Sequence, residues 1–301
     1  MFVSFSSAWK YLKKYRNPLC VITKVLRHKY PFFLRTRDNI SYEIFGHMQV
    51  YTLAAADEYV VYNPEDELLR FRFKDKDLVF SDGLNNGALF DVFFDVSYGS
   101  LDVRGRDVID IGANIGDSCV YFAVSGARRV IAFEPHDRSY RAAQNNVMLN
   151  GLSGRIEIHR AAVGSVHGEK NIMQPLNADG GSSLKENVSG MRVQVFTLDK
   201  LVKEFQISGG VLKIDCEGCE YEVIESTQPH TLRHFDQIIV EYHYGKKRII
   251  NSLIDAGFHI VEIKRGLVGL GTKSRLKLMR TGVIFAVKDT VVPHIGCRNR
   301  R

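Results

Sequence analysis

One segment constrains this chain more than any other: Val108-Ile-Asp-Ile-Gly-Ala-Asn-Ile-Gly-Asp-Ser118. It reads as a buried strand that carries an acid near its end and runs into a glycine turn. Gly112 and Gly116 let the backbone of that turn approach a ligand, because a Cβ at either position would intrude. A second apolar run, Arg129-Val-Ile-Ala-Phe133, follows after a short helix and ends in Glu134-Pro135. Strand, glycine loop, helix, strand and acid form the βαβ layout that holds nucleosides. Glu134 sits at the tip of the second strand, where a carboxylate can accept both hydroxyls of a ribose. Asp110 lies beside the loop, where it would repel a pyrophosphate but suit the ammonium or sulfonium of a methionine moiety. The glycine spacing is G-x-x-x-G, without the third glycine of dinucleotide sites and without the Gly-Lys-Ser/Thr of a P-loop. The segment therefore points to S-adenosylmethionine rather than to NAD or a nucleoside triphosphate.

Around this unit the pattern divides the chain of 301 residues into three parts. Residues 1–82 read as a basic helix followed by a small antiparallel β unit, a candidate substrate-recognition region. Trp9, Leu12, Leu19, Ile22 and Leu26 recur at helical spacing, interrupted near Pro18. Short period-two runs then occupy 40–45, 48–53, 59–62, 68–73 and 78–80. A helix over 84–96 leads into residues 83–289, where strands are expected at 107–111, 129–133, 155–160, 193–196, 211–215, 236–241, 258–263 and 283–287. Asp137–Asn150 reads as a helix stopped by Gly151. The run at 193–196 reads as an insertion, which leaves a seven-stranded, mostly parallel sheet with helices on both faces. Its last two strands leave no room for a crossover helix between them and form an antiparallel hairpin. Residues 290–301 form a basic tail.

A second motif, Val211-Leu-Lys-Ile-Asp-Cys-Glu-Gly-Cys-Glu220, brings Asp215 and Glu217 to the carboxyl edge of the sheet, where ligands of open α/β sheets sit. The next strand, Ile238-Ile-Val-Glu-Tyr-His243, brings Glu241 and His243 to the same rim. With both motifs in view, residues 98–289 resemble the FkbM-type family of S-adenosylmethionine-dependent methyltransferases. The resemblance rests on Asp110 to Asp117, Phe133-Glu-Pro135, Asn145 to Gly151, Ala162-Val-Gly164, Thr197-Leu-Asp199, Leu212 to Gly218 with Glu220, and Val240-Glu-Tyr-His243. Cys216 and Cys219 depart from it, since small aliphatic residues are expected there.

The resemblance implies a class I methyltransferase fold and methyl transfer to a hydroxyl oxygen of a sugar, polyketide, lipid-linked glycan or similar metabolite. By position it implies that Asp110, Gly112, Asn114, Gly116, Asp117 and Ser118 line the methionine end of the cofactor. Glu134 takes the ribose, Ala162 lies near the adenine and Asp215 closes the pocket. A hydroxyl acceptor must lose its proton during transfer, and His243 and Glu217 are the candidate bases. Asp215, Glu217 and His243 could also hold Mg²⁺, although no metal site is favoured. The absence of Asn-Pro-Pro-Tyr after the Asp215 strand argues against methylation of a base amino group.

Composition adds a competing reading. Lys and Arg total 41 against 34 acids, a net charge of +7, and the N-terminal helix and the stretch Lys264 to Arg280 are basic. RNA is thus an alternative substrate, and a non-catalytic protein that keeps the cofactor fold is a third reading. The five cysteines are odd in number and scattered, so no disulfide framework is expected. Cys216-x-x-Cys219 reads as two small residues around a strand-end turn, since no second pair completes a zinc site. No apolar run spans a membrane and no signal peptide is evident, so a cytoplasmic location is expected. The sequons at Asn39 and Asn187 are then chance.

Overall fold

A computed structural model describes residues 15–27, 29, 31–35, 37, 41–44, 50, 60–63, 68–81, 89–94, 98–172, 190–265 and 281–289. Its elements run in chain order as follows. Helix α1 (Pro18–Leu26) starts at the proline, whose fixed φ and missing N–H suit a first turn, with Asn17 capping Cys20 N. Five strands follow: β1 (Phe32–Arg35), β2 (Ser41–Ile44), β3 (Val60–Asn63), β4 (Leu68–Phe73) and β5 (Lys76–Phe80). A π-helical turn at Phe90–Phe94 leads to β6 (Asp107–Ile111), α2 (Asp117–Val124), β7 (Arg129–Phe133), α3 (Asp137–Leu149) and β8 (Ile156–His159). Then come β9 (Ala161–Val163), β10 (Gly168–Ile172), β11 (Met191–Phe196), α4 (Leu198–Glu204), β12 (Gly210–Ile214), α5 (Glu220–Ser226) and α6 (Pro229–Leu232). The last elements are β13 (Phe235–Tyr242), α7 (Lys247–Asp255), β14 (Phe258–Arg265) and β15 (Gly282–Lys288).

The central sheet has seven strands in the order β14-β15-β13-β12-β6-β7-β8. Strands β8, β7, β6, β12 and β13 pair in parallel, and β15 enters antiparallel between β13 and β14. This is the class I methyltransferase fold, hairpin included. Every residue of β6 and of β12 is buried, which is why both read as continuous apolar runs. Ile109 and Ile111 face a core shared with α4, α5 and α7, while Val108 faces a second core shared with α2 and α3. As expected, β11 lies outside this sheet, in a three-stranded sheet of order β10-β11-β9. Strands β9 and β10 escaped the sequence reading. The first is three residues long, and the second alternates around the charged Glu169 and Lys170.

In the N-terminal part, β1 and β2 form a hairpin and β3-β4-β5 an antiparallel meander. Strand β1 was not anticipated, and the run at 48–53 lies outside the described residues except for Val50. Of the helix expected over 84–96, only the turn at Phe90–Phe94 is described. The meander packs directly on the second core. Phe71 and Phe73 each contact Phe93 edge-on, at 5.0 and 5.1 Å between ring centroids. Asn150, just past α3, mimics a neighbouring strand: its Oδ1 accepts from Val79 N at 2.9 Å and its Nδ2 donates to Val79 O at 2.7 Å.

Candidate active site

The glycine loop between β6 and α2 is built from left-handed backbone. Gly112, Asn114 and Gly116 have φ of 83°, 47° and 80°. A Cβ on Gly112 would lie 1.8 Å from the Asp215 carbonyl oxygen, so glycine is obligatory where the loops after β6 and β12 meet. Asp215 N also donates to Ile111 O at 3.0 Å. From the other side, the buried Asn146 of α3 donates to Ile115 O at 2.9 Å and accepts from Ser81 N at 2.8 Å. One amide thus ties the glycine loop to the end of β5. Asparagine in a helix gives no hint of this in sequence.

Glu134 is buried at the tip of β7, beside that loop. Its Oε2 accepts from Asn114 N and its Oε1 from His136 N, each at 2.9 Å. Burial outweighs these bonds and pushes its carboxyl up to about 7. Each oxygen keeps a further lone pair, as a ribose diol requires. Asp117, at the first turn of α2, is also buried, and burial raises it to about 7.

Asp110 is fully buried beneath the loop. Its carboxylate meets Lys213 Nζ at 2.9 Å, Ser118 Oγ at 2.6 Å and Cys119 Sγ at 3.3 Å. Lys213, equally buried on β12, donates its remaining reach to Gly112 O at 2.6 Å. The charge of Asp110 is therefore already met inside the protein, and its structural part is to hold the loop. Lys213 was missed in the sequence, where it looks like an intruder in an apolar strand. Burial lowers the affinity of its ammonium for a proton, but Asp110 and its other anionic neighbours outweigh that and keep it charged. Ala162 is buried on β9, where its Cα pairs with Val195.

The second half of the site lies at the ends of β12 and β13. His243 is buried, with Nδ1 at 3.1 Å from Glu220 Oε1 and Nε2 at 3.4 Å from Glu217 Oε2 and 4.0 Å from Glu241 Oε1. Glu220 is itself fully buried, and the same Oε1 accepts from Cys216 N and Gly218 N at 3.1 Å each. Burial would raise Glu220, but His243 and these donors hold it below the ordinary range. His243 moves the other way. Burial opposes its charge, yet Glu220, Glu217 and Asp215 raise it to about 9 rather than leaving it near an ordinary imidazole. Burial, followed by Asp215, pushes Glu241 to about 8, and burial also raises Asp215 and Glu217.

Asp215, Glu241 and His243 present ligand atoms within 4.8 Å of one another, a set able to hold a divalent cation. Of the residues singled out in sequence, Gly112, Asn114, Gly116 and Glu134 come together at the glycine loop. Asp215, Glu217 and His243 come together beside it. Cys216 and Cys219 are not merely small residues around a turn, because they form a disulfide. Glu217 and Gly218 have φ of 58° and 127°, which folds the turn back and brings the two Cα atoms to 5.5 Å.

The sequence matches a known family over half of its length. The sequence model described as "Methyltransferase FkbM domain" matches residues 110–260. A curated relative, uncharacterized protein 158B of Sulfolobus islandicus rod-shaped virus 1, is 36% identical over 45 residues, 15% of this chain. The chain spans only 28% of the length of that relative. Among solved structures, a proposed SAM-dependent methyltransferase from Streptococcus mutans is 11% identical, with 90% of this chain and 65% of that one covered at a TM-score of 0.47. The ribosomal protein L11 methylase of Lactobacillus delbrueckii subsp. bulgaricus is 19% identical, with 64% and 75% covered at 0.36. M. capricolum TrmK, solved with S-adenosyl-homocysteine, is 12% identical, with 65% and 68% covered at 0.43.

Proposed function

The chain belongs to the FkbM methyltransferase family, and from that premise we propose that it methylates a hydroxyl oxygen of a sugar, polyketide, lipid-linked glycan or similar metabolite. S-adenosylmethionine is the methyl donor, and it supplies an electrophilic methyl on a sulfonium. The residues fit it. The left-handed loop at 112–116 turns tightly at the end of β6, and Glu134 offers two acceptor oxygens at the adjoining strand tip. Gly112, Asn114, Gly116, Asp117 and Ser118 would line the methionine end, Ala162 would lie near the adenine, and Asp215 would close the pocket from β12. Asp110 and Lys213 hold the loop from below.

The observation that carries the acceptor chemistry is the pair Glu217–His243, in contact at 3.4 Å on the rim next to the glycine loop. With His243 raised to about 9, the imidazole holds its proton at neutral pH. Glu217, the more exposed partner, then takes the proton from the acceptor hydroxyl, and the imidazolium orients it and balances its charge. Such base catalysis contributes about 10²–10⁴-fold. Holding the acceptor in line with the departing sulfur contributes several kcal/mol more, up to about 7–11 in favourable cases. The segment 1–82, whose meander packs against the same core, is the region we assign to acceptor choice.

The test is incubation of the full chain and a cell extract with methyl-labelled S-adenosylmethionine, followed by separation into small molecules, lipid, protein and RNA. Label in a hydroxylated small molecule or glycolipid is expected. The net charge of +7 supports RNA as the second reading. Label in RNA, together with RNA binding that falls steeply with salt, would replace the first reading with the second.

A further inference from the structure

The rim carries one device that methyl transfer does not use. The disulfide Cys216–Cys219 closes the turn that holds Glu217. Cys219 is buried and Cys216 is the more open of the two. Glu217, between them, adopts a left-handed φ of 58° that an ordinary residue resists. Two sets of bonds keep it there: the disulfide, and the Glu220 carboxylate accepting from Cys216 N and Gly218 N. Cys20 and Cys119 remain unpaired, and Cys119 is buried against Asp110. The pairing is therefore confined to this turn among the described residues.

We infer that Cys216–Cys219 is a thiol–disulfide exchange site for a dithiol reductant, and that opening it releases Glu217 from His243. The exchange is balanced. A thiolate of the reductant attacks Cys216 Sγ, the S–S bond breaks, and its electron pair leaves on Cys219, which takes a proton. The second thiol of the reductant then attacks the mixed disulfide and expels Cys216 as a thiolate, which is protonated in turn. Two electrons and two protons pass to the protein, and the reductant departs as its own disulfide. With the tether gone, the left-handed conformation of Glu217 is held only by the two backbone bonds to Glu220, and the residue relaxes away from Nε2 of His243. Glu220 stays in place, since its bonds run to the backbone and to Nδ1. The exchange site stands on the turn geometry alone, whereas its effect on turnover rests on the Glu217 reading given above.

The experiment uses the full chain, oxidised or treated with dithiothreitol, and reads four quantities. Alkylation and peptide mass analysis count the thiols at 216 and 219. NMR of the His243 ring at fixed pH follows its contact with Glu217. Calorimetry measures S-adenosylmethionine binding, and turnover is measured on whichever fraction accepts label. Two thiols should appear together on reduction, and the Nε2 side of the His243 ring should show a changed environment as its 3.4 Å contact with Glu217 is lost. Turnover should drop about tenfold, the population factor that one left-handed non-glycine residue carries, with cofactor affinity unchanged. The double variant Cys216→Val with Cys219→Ala should ignore dithiothreitol in every reading. Thiols that never pair under oxidation overturn the proposal. So does a disulfide whose reduction moves neither His243 nor turnover, which would make it a structural clamp. Absence of cofactor binding in both redox states would instead overturn the methyltransferase reading and leave the exchange itself measurable by alkylation.

Discussion

Removing Lys213 should damage this protein more than removing any exposed lysine. Its ammonium and the Asp110 carboxylate are both buried, 2.9 Å apart, and the same ammonium holds Gly112 O. In Lys213→Met the aliphatic stem keeps its volume, but Asp110 is left without its counter-charge. Breaking one side of a buried pair costs about 3–5 kcal/mol. An independent bound comes from the alternative open to the protein, which is to protonate the stranded acid. At pH 7 that costs about 4 kcal/mol for a carboxyl of ordinary acidity. The two figures agree, so urea unfolding at pH 7 should show a loss of about 4 kcal/mol. The loss should shrink as the pH is lowered toward 5, because protonation becomes cheaper. The double variant Lys213→Met with Asp110→Asn should recover most of it, since no buried charge remains. Cofactor binding should stay weak in both, because Gly112 O has lost its donor. A single variant that costs under about 1 kcal/mol, or a double variant as unstable as the sum of the singles, would refute the buried-pair account.

Four further outcomes follow from the site. Glu134→Ala should weaken S-adenosylmethionine binding well beyond tenfold by calorimetry, while the parent protein shows no NAD binding; tight NAD binding would sink the cofactor assignment. Glu217→Gln should lower turnover by about 10²-fold or more with cofactor affinity nearly intact. The pH–rate profile should be bell-shaped, falling on the acid side as Glu217 protonates and on the alkaline side near 9 as His243 loses its proton. A rate that keeps rising through 9 would identify neutral His243 as the base. The cofactor-free protein should gain stability as the pH falls from about 9 toward 6. His243 near 9, Glu241 near 8, and Asp117 and Glu134 near 7 all bind protons more tightly folded than unfolded. Their protonated forms favour the native state, and that contribution is lost as pH rises through each value. Thermal unfolding across this range checks it, and flat stability would contradict the cluster.

The parallel sheet was legible because strands buried on both faces must be apolar throughout, and the turns between them carry glycine or an acid at the carboxyl edge. That logic locates Gly112, Gly116, Glu134, Asp215 and His243 from local sequence alone. It fails where one residue answers another far away in the chain. Lys213 makes sense only beside Asp110, and Asn146 only beside Ser81 and Ile115. It also fails at Cys216 and Cys219, where a CxxC spacing is compatible with a metal, a disulfide or neither. The left-handed turn at Glu217 decides the matter, and no residue preference announces it. His243 lies on the rim to which its strand brings it, but its proton affinity is not written in that strand. That property belongs to Glu220, Glu217 and Asp215, which come from a different strand end.

The two halves of the site meet along a single backbone seam. Asp215 N bonds Ile111 O, and the Asp215 carbonyl packs where a side chain on Gly112 would have to go. One residue farther along lies Cys216, and two farther lies Glu217. The glycine loop and the turn proposed to carry the base therefore share one seam, yet each is held by its own supports. The buried Asp110–Lys213 pair sits under that seam and holds its β6 side through Gly112 O. Glu220 and the disulfide hold its β12 side. A site arranged this way can keep the methyl donor bound while the base is withdrawn, because the donor-side supports do not pass through the cysteine turn. This separates control of the chemical step from control of cofactor affinity, which is what the contrast between turnover and binding in the reduced protein measures.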